Sequence, residues 1–460
     1  MSQPELIISV SGIRGVVGQT LLPDSILRFG QALGKMLLDN QAIAGETKPL
    51  QVVLGRDSRA SGPMAACSLA AGLLSVGVHV TDLGVVTTPS VGLMTRFLAA
   101  DAGIVITASH NPPEYNGIKF LRSDGIGFPP AIMERVKSIY ASGGWKLADV
   151  NRIGMLSTDS RTHAHHVQTV LQHVDAKPIA DHRYRVVLDS INGAGCIPSP
   201  MLLGKLGAEL IHINGQANGR FAHTPEPVRE NLLELGRVVQ EKRAAVGFAQ
   251  DPDADRLVVV DETGRFVGEE YTLALAVLNR LMSRAGTVVC NLSTSRMIDD
   301  IAARFQSPVI RTPVGEANVA GRMIQEKAVI GGEGNGGIID LRIGPVRDSL
   351  MGMACILELM TRTGKKISEL IAGLPGYAMI KTKFACTRQQ ADELVEKVKT
   401  AYAGERLDTQ DGVRIDWPEG WVQVRPSNTE PIARVIAEAA DETAARELIF
   451  RIERLRLPTA

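Results

Sequence analysis

A serine and a histidine stand side by side where an apolar run of the chain ends. Ser109 and His110 follow the segment 103–107 (GIVIT), which predicts a buried strand, and Asn111 and Pro112 resist its continuation. A hydroxyl at the carboxyl end of a buried strand lies where α/β proteins place ligands. The residues alone leave two interpretations open, a nucleophile or a turn whose hydroxyl bonds its own backbone. A serine hydrolase fits poorly, because no G-x-S-x-G elbow surrounds the serine.

Three aspartates alternate in the loop before another predicted strand. Asp251, Asp253 and Asp255 precede the apolar run 257–260 directly. Carboxylates at this spacing repel one another unless a cation joins them, and oxygen ligands in an extended, proline-bent loop suit Mg²⁺. The alternative is a solvated acidic turn. A calcium EF-hand is excluded, because Arg256 occupies the position that requires glycine. We call residues 107–112 the serine loop and residues 251–256 the aspartate loop.

A third segment surrounds one glutamate and one asparagine with glycine. Residues 331–337, the glycine loop, contain five glycines together with Glu333 and Asn335. Glycine allows a backbone to approach a ligand closely, and these two side chains suit the hydroxyl groups of a sugar. A plain structural turn is the alternative. The loop is not a P-loop, because the G-K-[ST] ending is missing.

The fourth segment, residues 425–431 (RPSNTEP), is the C-terminal loop. It contains one guanidinium, two hydroxyls and an amide, which are the donors that a phosphate dianion binds. These groups belong to Arg425, Ser427, Asn428 and Thr429. The same residues are typical of a capped helix start, and helix starts also bind anions.

Smaller segments add cations. Arg14 stands in a glycine-flanked turn, and residues 55–59 follow a predicted strand with two arginines. Lys119 lies ten positions after Ser109 and can act as a proton carrier if neighbouring cations lower its pKa. The alternative for Lys119 is an ordinary solvated lysine at a strand edge.

Composition restricts the class of protein. The 460 residues are 45% hydrophobic and carry a formal net charge of +0, so no global field attracts nucleic acid or an anionic membrane. Five scattered cysteines form no CxxC pair, which argues against a zinc site or disulfide framework and favours the cytoplasm. We expect no signal peptide and no spanning helix, because the apolar runs end well before about 18 residues.

The elements that must hold these segments follow an α/β rhythm. Three blocks, beginning near Leu6, Arg185 and Ala285, each run strand, glycine-containing turn, helix and strand. After Leu374 two predicted strands flank a charged helix at 388–402, which indicates a smaller α+β domain. A single core rarely grows beyond about 250–300 residues, so several domains are expected.

In their order along the chain, the four loops resemble the motifs of the α-D-phosphohexomutase family. The sequences TASHNP and DPDADR are highly specific in combination, and the resemblance covers nearly the whole chain. It implies an α/β fold with three related α/β mixed-sheet domains and a smaller C-terminal α+β domain. On this chain the predicted boundaries are 1–150, 156–256, 257–372 and 373–460.

The resemblance also implies residue roles. Ser109 would carry a phosphate, and Asp251, Asp253, Asp255 and an oxygen on Ser109 would bind one Mg²⁺ ion. Lys119 would be the general acid/base. The remaining implied catalytic residues are Arg14 and His110, and the implied substrate-binding residues are Arg256, Glu333, Asn335, Arg425, Ser427, Asn428 and Thr429.

The implied reaction interconverts a hexose 6-phosphate and a hexose 1-phosphate through a bisphosphate, and a hexose bisphosphate is the activator. The glycine loop resembles the phosphoglucosamine mutase branch, whereas Asn428 resembles the phosphomannomutase/phosphoglucomutase members. Glucosamine phosphate is favoured, with mannose or glucose phosphate as the alternative. A Mg²⁺-dependent sugar phosphatase and a non-catalytic sugar-phosphate binder are alternatives of another class. A monomer or a homodimer is expected.

Overall fold

The computed structural model describes residues 6–9, 12–427 and 432–456. Asn428 and Thr429 therefore lie outside the described residues. The described chain forms four sheets, one for each of the predicted domains. Among these residues, no helix has both the length and the apolar character needed to cross a membrane.

Within the described residues, the first sheet has seven strands in the order β1-β2-β6-β5-β3-β4-β7. The strands are β1 (Ile7–Ser9), β2 (Gly12–Val16), β3 (Gln51–Arg56), β4 (His79–Val85), β5 (Ala102–Ile106), β6 (Tyr115–Arg122) and β7 (Leu156–Thr158). The helices are α1 (Pro23–Ala44), α2 (Gly62–Ser75), α3 (Thr88–Phe97) and α4 (Pro130–Ser142). Helices α1 and α2 pack closely, since a Cβ at Gly72 would lie 2.1 Å from the Leu27 carbonyl oxygen.

The second sheet has the order β11-β10-β8-β9. Its strands are β8 (Arg185–Asp189), β9 (Glu209–Ile213), β10 (Val246–Gln250) and β11 (Leu257–Val260). Its helices are α5 (Thr162–Leu171), α6 (Ala176–His182), α7 (Pro198–Lys205) and α8 (Leu233–Lys242), with 3₁₀ turns at Ala194–Cys196 and Arg229–Asn231.

Two predicted domain boundaries cut through sheets. The boundary between residues 256 and 257 is wrong, because β11 pairs antiparallel with β10 inside the second sheet. A start of the second domain at residue 156 is wrong as well, because β7 pairs parallel with β4 in the first sheet. Local sequence marks the ends of these strands but does not reveal the strands with which they pair.

The third sheet has the order β13-β12-β14-β15. Its strands are β12 (Val288–Asn291), β13 (Val309–Thr312), β14 (Ile330–Glu333) and β15 (Gly337–Ile339). The helices around it are α9 (Glu269–Ser283), α10 (Met297–Arg304), α11 (Glu316–Glu326), α12 (Ser349–Thr363) and α13 (Ile367–Ala372). Apolar residues of the second and third units form one continuous core, so the two units are packed firmly together.

The fourth sheet is antiparallel throughout its described strands, in the order β16-β20-β19-β18-β17. Its strands are β16 (Ala378–Ala385), β17 (Arg406–Asp408), β18 (Val413–Asp416), β19 (Gly420–Pro426) and β20 (Ile432–Ala439). Helices α14 (Arg388–Ala401) and α15 (Glu442–Arg456) cover it, and it has a hydrophobic core of its own. This arrangement confirms the smaller α+β domain, including its charged helix.

Three functional loop candidates occupy the same position in three sheets. In each sheet, a strand with a parallel neighbour is followed by a loop and then by an antiparallel strand. These pairs are β5 and β6, β10 and β11, and β14 and β15. The serine, aspartate and glycine loops connect them in that order. The three sheets are therefore mixed and related, as the resemblance implied.

Candidate active site

The serine loop and the aspartate loop meet although 142 positions separate their key residues. The Ser109 hydroxyl donates to Asp251 Oδ2 at 2.9 Å. Lys119, from the strand after the serine loop, donates from Nζ to Asp253 Oδ2 at 2.7 Å and lies 3.4 Å from Asp255 Oδ2. One hydroxyl, three carboxylates and one ammonium group thus form a single cluster.

Ser109 is held in an uncommon backbone conformation. Its φ of 49° lies in the left-handed region, and its side chain is buried. Its N–H donates to Thr107 Oγ1 at 2.9 Å, and the Thr107 hydroxyl donates to Asp57 Oδ2 at 2.6 Å. These bonds turn the chain sharply after β5, so that the hydroxyl faces the aspartate loop.

The backbone of the serine loop is fixed by a buried arginine, Arg59, which the sequence marked as a cation without indicating this role. Arg59 Nη2 donates to the carbonyl oxygens of Ser109 and Asn111 at 2.7 and 2.6 Å. Its Nη1 donates to those of Pro112 and Tyr115 at 2.6 and 2.9 Å. The guanidinium therefore holds the loop backbone in one conformation. Its charge is compensated by groups of the protein and is not available to a ligand.

Asp57 balances this arginine. Its Oδ2 lies 3.1 Å from Arg59 Nε, and both side chains are buried. The two residues follow β3, the parallel neighbour of the strand that precedes Ser109. The D-x-R spacing at the end of a strand was a signal for such a pair, but the sequence alone gave no indication of the carbonyls that Arg59 would meet.

The aspartate loop brings three buried carboxylates together. One oxygen from each of Asp251, Asp253 and Asp255 lies within 4.8 Å of the others. Burial and the neighbouring aspartates raise the pKa of Asp251 well above its ordinary value. Burial also acts to raise the pKa of Asp253, but hydrogen bonds from Lys119 and Thr88 bring it below its ordinary value.

The donor set of this loop fits a hard divalent cation such as Mg²⁺. Asp253 Oδ1 and Asp255 Oδ1 are buried and have no hydrogen-bond partner among the described residues. Buried carboxylate oxygens without partners are costly, and a cation that prefers oxygen ligands removes that cost. The backbone supports this geometry, since Ala254 has a φ of 54° and the Arg256 N–H donates to Asp251 Oδ1 at 3.1 Å.

The three other predicted catalytic residues surround Ser109. Arg14 Nη1 donates to Asn111 Oδ1 at 3.0 Å, which places its charge at the serine loop. Burial, together with Arg256 and Arg14, lowers the pKa of His110 to about 2, so its imidazole is neutral. Burial lowers the pKa of Lys119, but Asp253 and Asp255 raise it more, and the net pKa is above the ordinary value. The condition set for Lys119, a pKa lowered by neighbouring cations, is therefore not met in this structure, because its nearest partners are carboxylates.

The glycine loop places its two polar side chains differently. Glu333 is buried, and its Oε1 accepts from Asn291 Nδ2 at 2.8 Å and from the Gly315 N–H at 3.1 Å. Its Oε2 accepts from Arg347 Nη1 at 2.8 Å. Asn335 Oδ1, in contrast, has no hydrogen-bond partner within the described part of the chain and is free to accept from a ligand hydroxyl.

Arg347 is an arginine that the sequence interpretation missed. Besides Glu333, it bonds Asp255 Oδ2 through Nη2 at 2.6 Å and Glu316 Oε2 through Nε at 3.0 Å. It therefore joins the aspartate loop to the glycine loop. No local motif marks it, since its partners are 14 to 92 positions away.

The C-terminal loop is described only in part. Arg425 is half-buried at the end of β19, and its Nε has no partner among the described residues. Ser427 is buried, and its N–H donates to the Ile432 carbonyl at 2.9 Å. Burial lowers the pKa of Arg425, and Asp411 acts to raise it.

The fourth domain is docked on the third through polar contacts. Ser293 Oγ donates to Gln423 Oε1 at 2.6 Å, and the Val314 N–H donates to Asp411 Oδ2 at 3.0 Å. These contacts fix β19, the strand that ends at the start of the C-terminal loop, and the segment before β18 against the third domain. Arg256 Nε, at the end of the aspartate loop, is a further buried donor without a partner in the described ranges.

Comparison with known proteins agrees with this arrangement. Four family models match, namely the alpha/beta/alpha domains I, II and III and the C-terminal domain of phosphoglucomutase/phosphomannomutase. The matched residues are 6–146, 164–264, 269–377 and 382–455.

Two relatives illustrate the similarity in sequence. A phosphoglucomutase/phosphomannomutase of Thermococcus kodakarensis is 40% identical over 448 residues, which cover 95% of each chain. A probable phosphoglucosamine mutase of Methanopyrus kandleri is 38% identical over 443 residues, again covering 95% of each.

Solved structures share the fold over the whole length. A phosphoglucomutase/phosphomannomutase family protein from Burkholderia thailandensis superposes with a TM-score of 0.85 at 26% identity and covers 99% of this chain and 98% of its own. A putative phosphomannomutase from Thermus thermophilus has a TM-score of 0.81 at 26% identity, with 99% of each chain covered. With all four domain models matched and relatives above one-third identity, this chain belongs to the α-D-phosphohexomutase family of isomerases.

Proposed function

We propose that this protein interconverts glucosamine 6-phosphate and glucosamine 1-phosphate, with Ser109 as a reusable phosphate carrier. One observation carries the proposal: the Ser109 hydroxyl donates to Asp251 inside a cluster of three buried carboxylates, beside the Lys119 ammonium group. A phosphate on that oxygen lies between a site for a divalent cation and a fixed positive charge. Phosphoryl transfer requires this neutralisation together with in-line positioning.

The first transfer moves the phosphoryl group from Ser109 to the free hydroxyl of the sugar phosphate. The bond between phosphorus and Ser109 Oγ breaks, and a bond to the sugar oxygen forms. Although its pKa is raised rather than lowered, protonated Lys119 is proposed to give its proton to the serine oxygen as the bond to phosphorus breaks, and the resulting amine then takes the proton of the sugar hydroxyl. One Mg²⁺ ion, held by Asp251, Asp253, Asp255 and a phosphoserine oxygen, would neutralise charge on the transferred group.

The second transfer returns the other phosphoryl group to Ser109 after the bisphosphate has turned over in the cleft. Asn335 and Glu333 are proposed to bind sugar hydroxyls, and the unpartnered Nε of Arg256 is an available donor among the described residues. The phosphate that is not reacting would be held by Arg425, Ser427, Asn428 and Thr429. Added hexose bisphosphate would act as the activator, because it supplies the phosphate that charges Ser109.

The choice of sugar rests on the glycine loop and on the relatives. Asn335 stands in the GEGNGG form of the loop, and several relatives at 35–38% identity are named probable phosphoglucosamine mutases. Mannose or glucose phosphate is the second candidate, because the 40% identical relative is named phosphoglucomutase/phosphomannomutase. We propose that the enzyme is cytoplasmic, because its five cysteines are all free thiols in the described chain. A monomer or a homodimer remains the expectation for its assembly.

The sugar assignment is tested by coupled turnover of the 1- and 6-phosphates of glucosamine, mannose and glucose with Mg²⁺ and a trace of bisphosphate. The highest kcat/KM is expected for glucosamine phosphate. A tenfold or greater preference for mannose or glucose phosphate would overturn the sugar assignment but leave the mutase class intact. Release of inorganic phosphate without isomer would instead indicate a phosphatase, and binding without turnover a non-catalytic binder.

The role of Ser109 is tested by Ser109→Ala. We expect kcat/KM to fall by at least about 10⁴-fold, because the covalent carrier is removed. Intact-mass spectrometry of the wild type should show one phosphate that the variant lacks. Ser142→Ala, a change at an exposed serine at the end of α4, is the matched control and should retain full activity. Isomerisation at the wild-type rate by Ser109→Ala would contradict the proposal.

A further inference from the structure

We propose that Arg347 is a positioning residue that couples metal binding to sugar recognition. The inference rests on the proposed mutase function and extends it. Arg347 lies in neither the aspartate loop nor the glycine loop, yet it bonds one carboxylate from each. Through these bonds it sets the separation between the two loops and the orientation of the carboxylates they present.

The guanidinium of Arg347 distributes its three nitrogens over three carboxylates. Nη2 donates to Asp255 Oδ2 at 2.6 Å, Nη1 to Glu333 Oε2 at 2.8 Å and Nε to Glu316 Oε2 at 3.0 Å. The side chain of Arg347 is 10% exposed, and those of Asp255 and Glu333 are 1% and 4% exposed. Charge-assisted hydrogen bonds in such a dry setting are strong and strictly oriented.

The arrangement decides which carboxylate oxygens remain for ligands. With Oδ2 of Asp255 bound to Arg347, Oδ1 is the buried oxygen of this aspartate that lacks a partner among the described residues. Glu333 is fixed on both oxygens, by Arg347 on one side and by Asn291 on the other. A shift of Arg347 would therefore move a proposed metal ligand and a proposed sugar ligand together.

Arg347 has little freedom to leave this position. A Cβ at Gly337 would lie 2.1 Å from Arg347 Cδ, so the arginine stem runs directly over the backbone that closes the glycine loop. The next residue, Asp348, caps helix α12 by accepting from the Leu350 N–H at 2.9 Å. The other oxygen of Asp348 lies 2.8 Å from His166 Nε2 of the second domain. The backbone that carries Arg347 is thus anchored on both domains.

Arg342 lies in the same segment between β15 and α12 as Arg347, but its contacts are purely structural. It forms a two-pronged pair with Asp340 and donates to the His173 carbonyl at 3.1 Å. None of these partners belongs to the four loops. Arg342 therefore supplies the matched control, since it is an arginine of the same segment with a buried aspartate partner.

The experiment compares Arg347→Met, Arg347→Lys and Arg342→Met by calorimetric titration with Mg²⁺, with and without glucosamine 6-phosphate, and by steady-state kinetics. In the wild type, the sugar phosphate should tighten Mg²⁺ binding several-fold, since about 1–3 kcal/mol of coupling corresponds to 5–150-fold. Arg347→Met should weaken the binding of Mg²⁺ and of the sugar phosphate about tenfold each and abolish the coupling between them. Arg347→Lys should keep part of the affinity but lose most of the coupling, because an ammonium cannot bridge two carboxylates as a planar fork does.

Arg342→Met should lower the Tm but leave both affinities, the coupling and kcat/KM within about twofold of the wild type. The inference is overturned if the wild type shows no coupling, if both Arg347 variants retain it, or if Arg342→Met loses it equally. Should Arg347→Met not fold, Arg347→Lys alone decides. If the wild type isomerises no sugar phosphate but Arg347→Lys still loses the coupling, the proposed function fails while this inference stands.

Discussion

Two loops of this protein bury aspartate and arginine at the end of a parallel strand, and they use these charges in opposite ways. After β3, Asp57 and Arg59 bond each other and saturate the backbone of the serine loop. After β10, the aspartate loop leaves Asp253 Oδ1, Asp255 Oδ1 and Arg256 Nε without partners in the described chain.

The difference separates a scaffold from a binding site. A buried polar atom without a hydrogen bond costs about 1–3 kcal/mol, so several of them together favour a place that a bound ion, water or ligand completes. The same residue types at similar spacing therefore hold a loop in one place and, in the proposed function, bind a cation in another. The pattern of unsatisfied atoms, rather than the residue types, distinguishes the two regions.

The largest expected effect comes from Asp251→Asn in the aspartate loop. Activity should fall by about 10³-fold, because a bound metal supplies several kcal/mol of charge stabilisation in the transition state. The Tm without Mg²⁺ should stay equal or rise, because one of three mutually repelling carboxylates is removed. The measurements are kcat/KM and the Tm with and without Mg²⁺.

Asp124→Asn, at an exposed aspartate paired with Arg122, is the control and should change neither quantity. If Mg²⁺ stabilised Asp251→Asn as much as it stabilises the wild type, the aspartate loop would not be the metal site. The aspartate loop would then not differ from the Asp57 and Arg59 pair as a binding site differs from a scaffold.

The next effect in size is expected from Arg59→Met in the scaffold pair. Removing one partner of a buried ion pair costs about 3–5 kcal/mol, which corresponds to a decrease in Tm of at least about 6 °C for a domain of this size. The turnover should fall about 100-fold, since misplacement of a reacting group by about 1 Å has that effect. The affinity for Mg²⁺, measured by calorimetry, should change little.

Arg122→Met, which removes an exposed arginine, should leave the Tm and the turnover unchanged. An unchanged Tm for Arg59→Met combined with a large loss of Mg²⁺ affinity would show that Arg59 belongs to the binding site. The two loops would then not differ in the way described.

The smallest effect is expected at Glu270, a further buried carboxylate that belongs to neither of the two loops. Burial raises the pKa of Glu270 to about 8, although the Ser295 N–H donates to it at 3.0 Å and Lys381 Nζ lies 3.8 Å away. This pKa exceeds the ordinary 4.5, so the folded protein binds an extra proton between about pH 4.5 and 8. The contribution of Glu270 to stability therefore falls as the pH rises through that window.

Glu270→Gln should remove this loss. We expect its Tm to be close to that of the wild type near pH 5 and to exceed it by at least about 2–4 °C at pH 8.5, since each kcal/mol shifts the Tm by about that amount. Glu405→Gln, at an exposed position, is the control and should follow the wild type at both values. A Tm difference that is independent of pH would show that Glu270 is ionised throughout and is satisfied like Asp57.

The positions of several candidate site loops could be predicted from the sequence, because residues within each loop indicate a turn or a cluster of polar groups. The run 257–260 is strand β11, and the predicted strand at 103–107 agrees with β5 to within one residue at each end. The turn after the run 103–107 follows from asparagine and proline, and the loop before the run 257–260 follows from proline and repelling carboxylates, all of which act over a few residues. The positions of Ser109 and the aspartate loop could therefore be predicted directly.

The errors share one physical cause. The boundary after residue 256 is wrong because β11 folds back on β10, and the direction in which a strand returns depends on the sheet it joins. The direction of the pKa shift of Lys119 was not predictable, because its partners, Asp253 and Asp255, are 134 and 136 positions away. The role of Arg59 and the presence of Arg347 in the site were not predicted for the same reason, since most of their partners are distant carbonyls and carboxylates.

The sequence by itself determined the chemical groups and the places where the chain must turn, because side-chain type and local backbone preference act within a few residues. The tertiary structure decided which groups meet. Three related sheets place the serine, aspartate and glycine loops at equivalent hairpins, and packing of those sheets brings Ser109 to Asp251 and Arg347 to Glu333. Packing also decides which buried polar atoms have hydrogen-bond partners. It therefore decides whether a buried aspartate and arginine stabilise the fold, as Asp57 and Arg59 do, or keep atoms available for a ligand, as proposed for the aspartate loop.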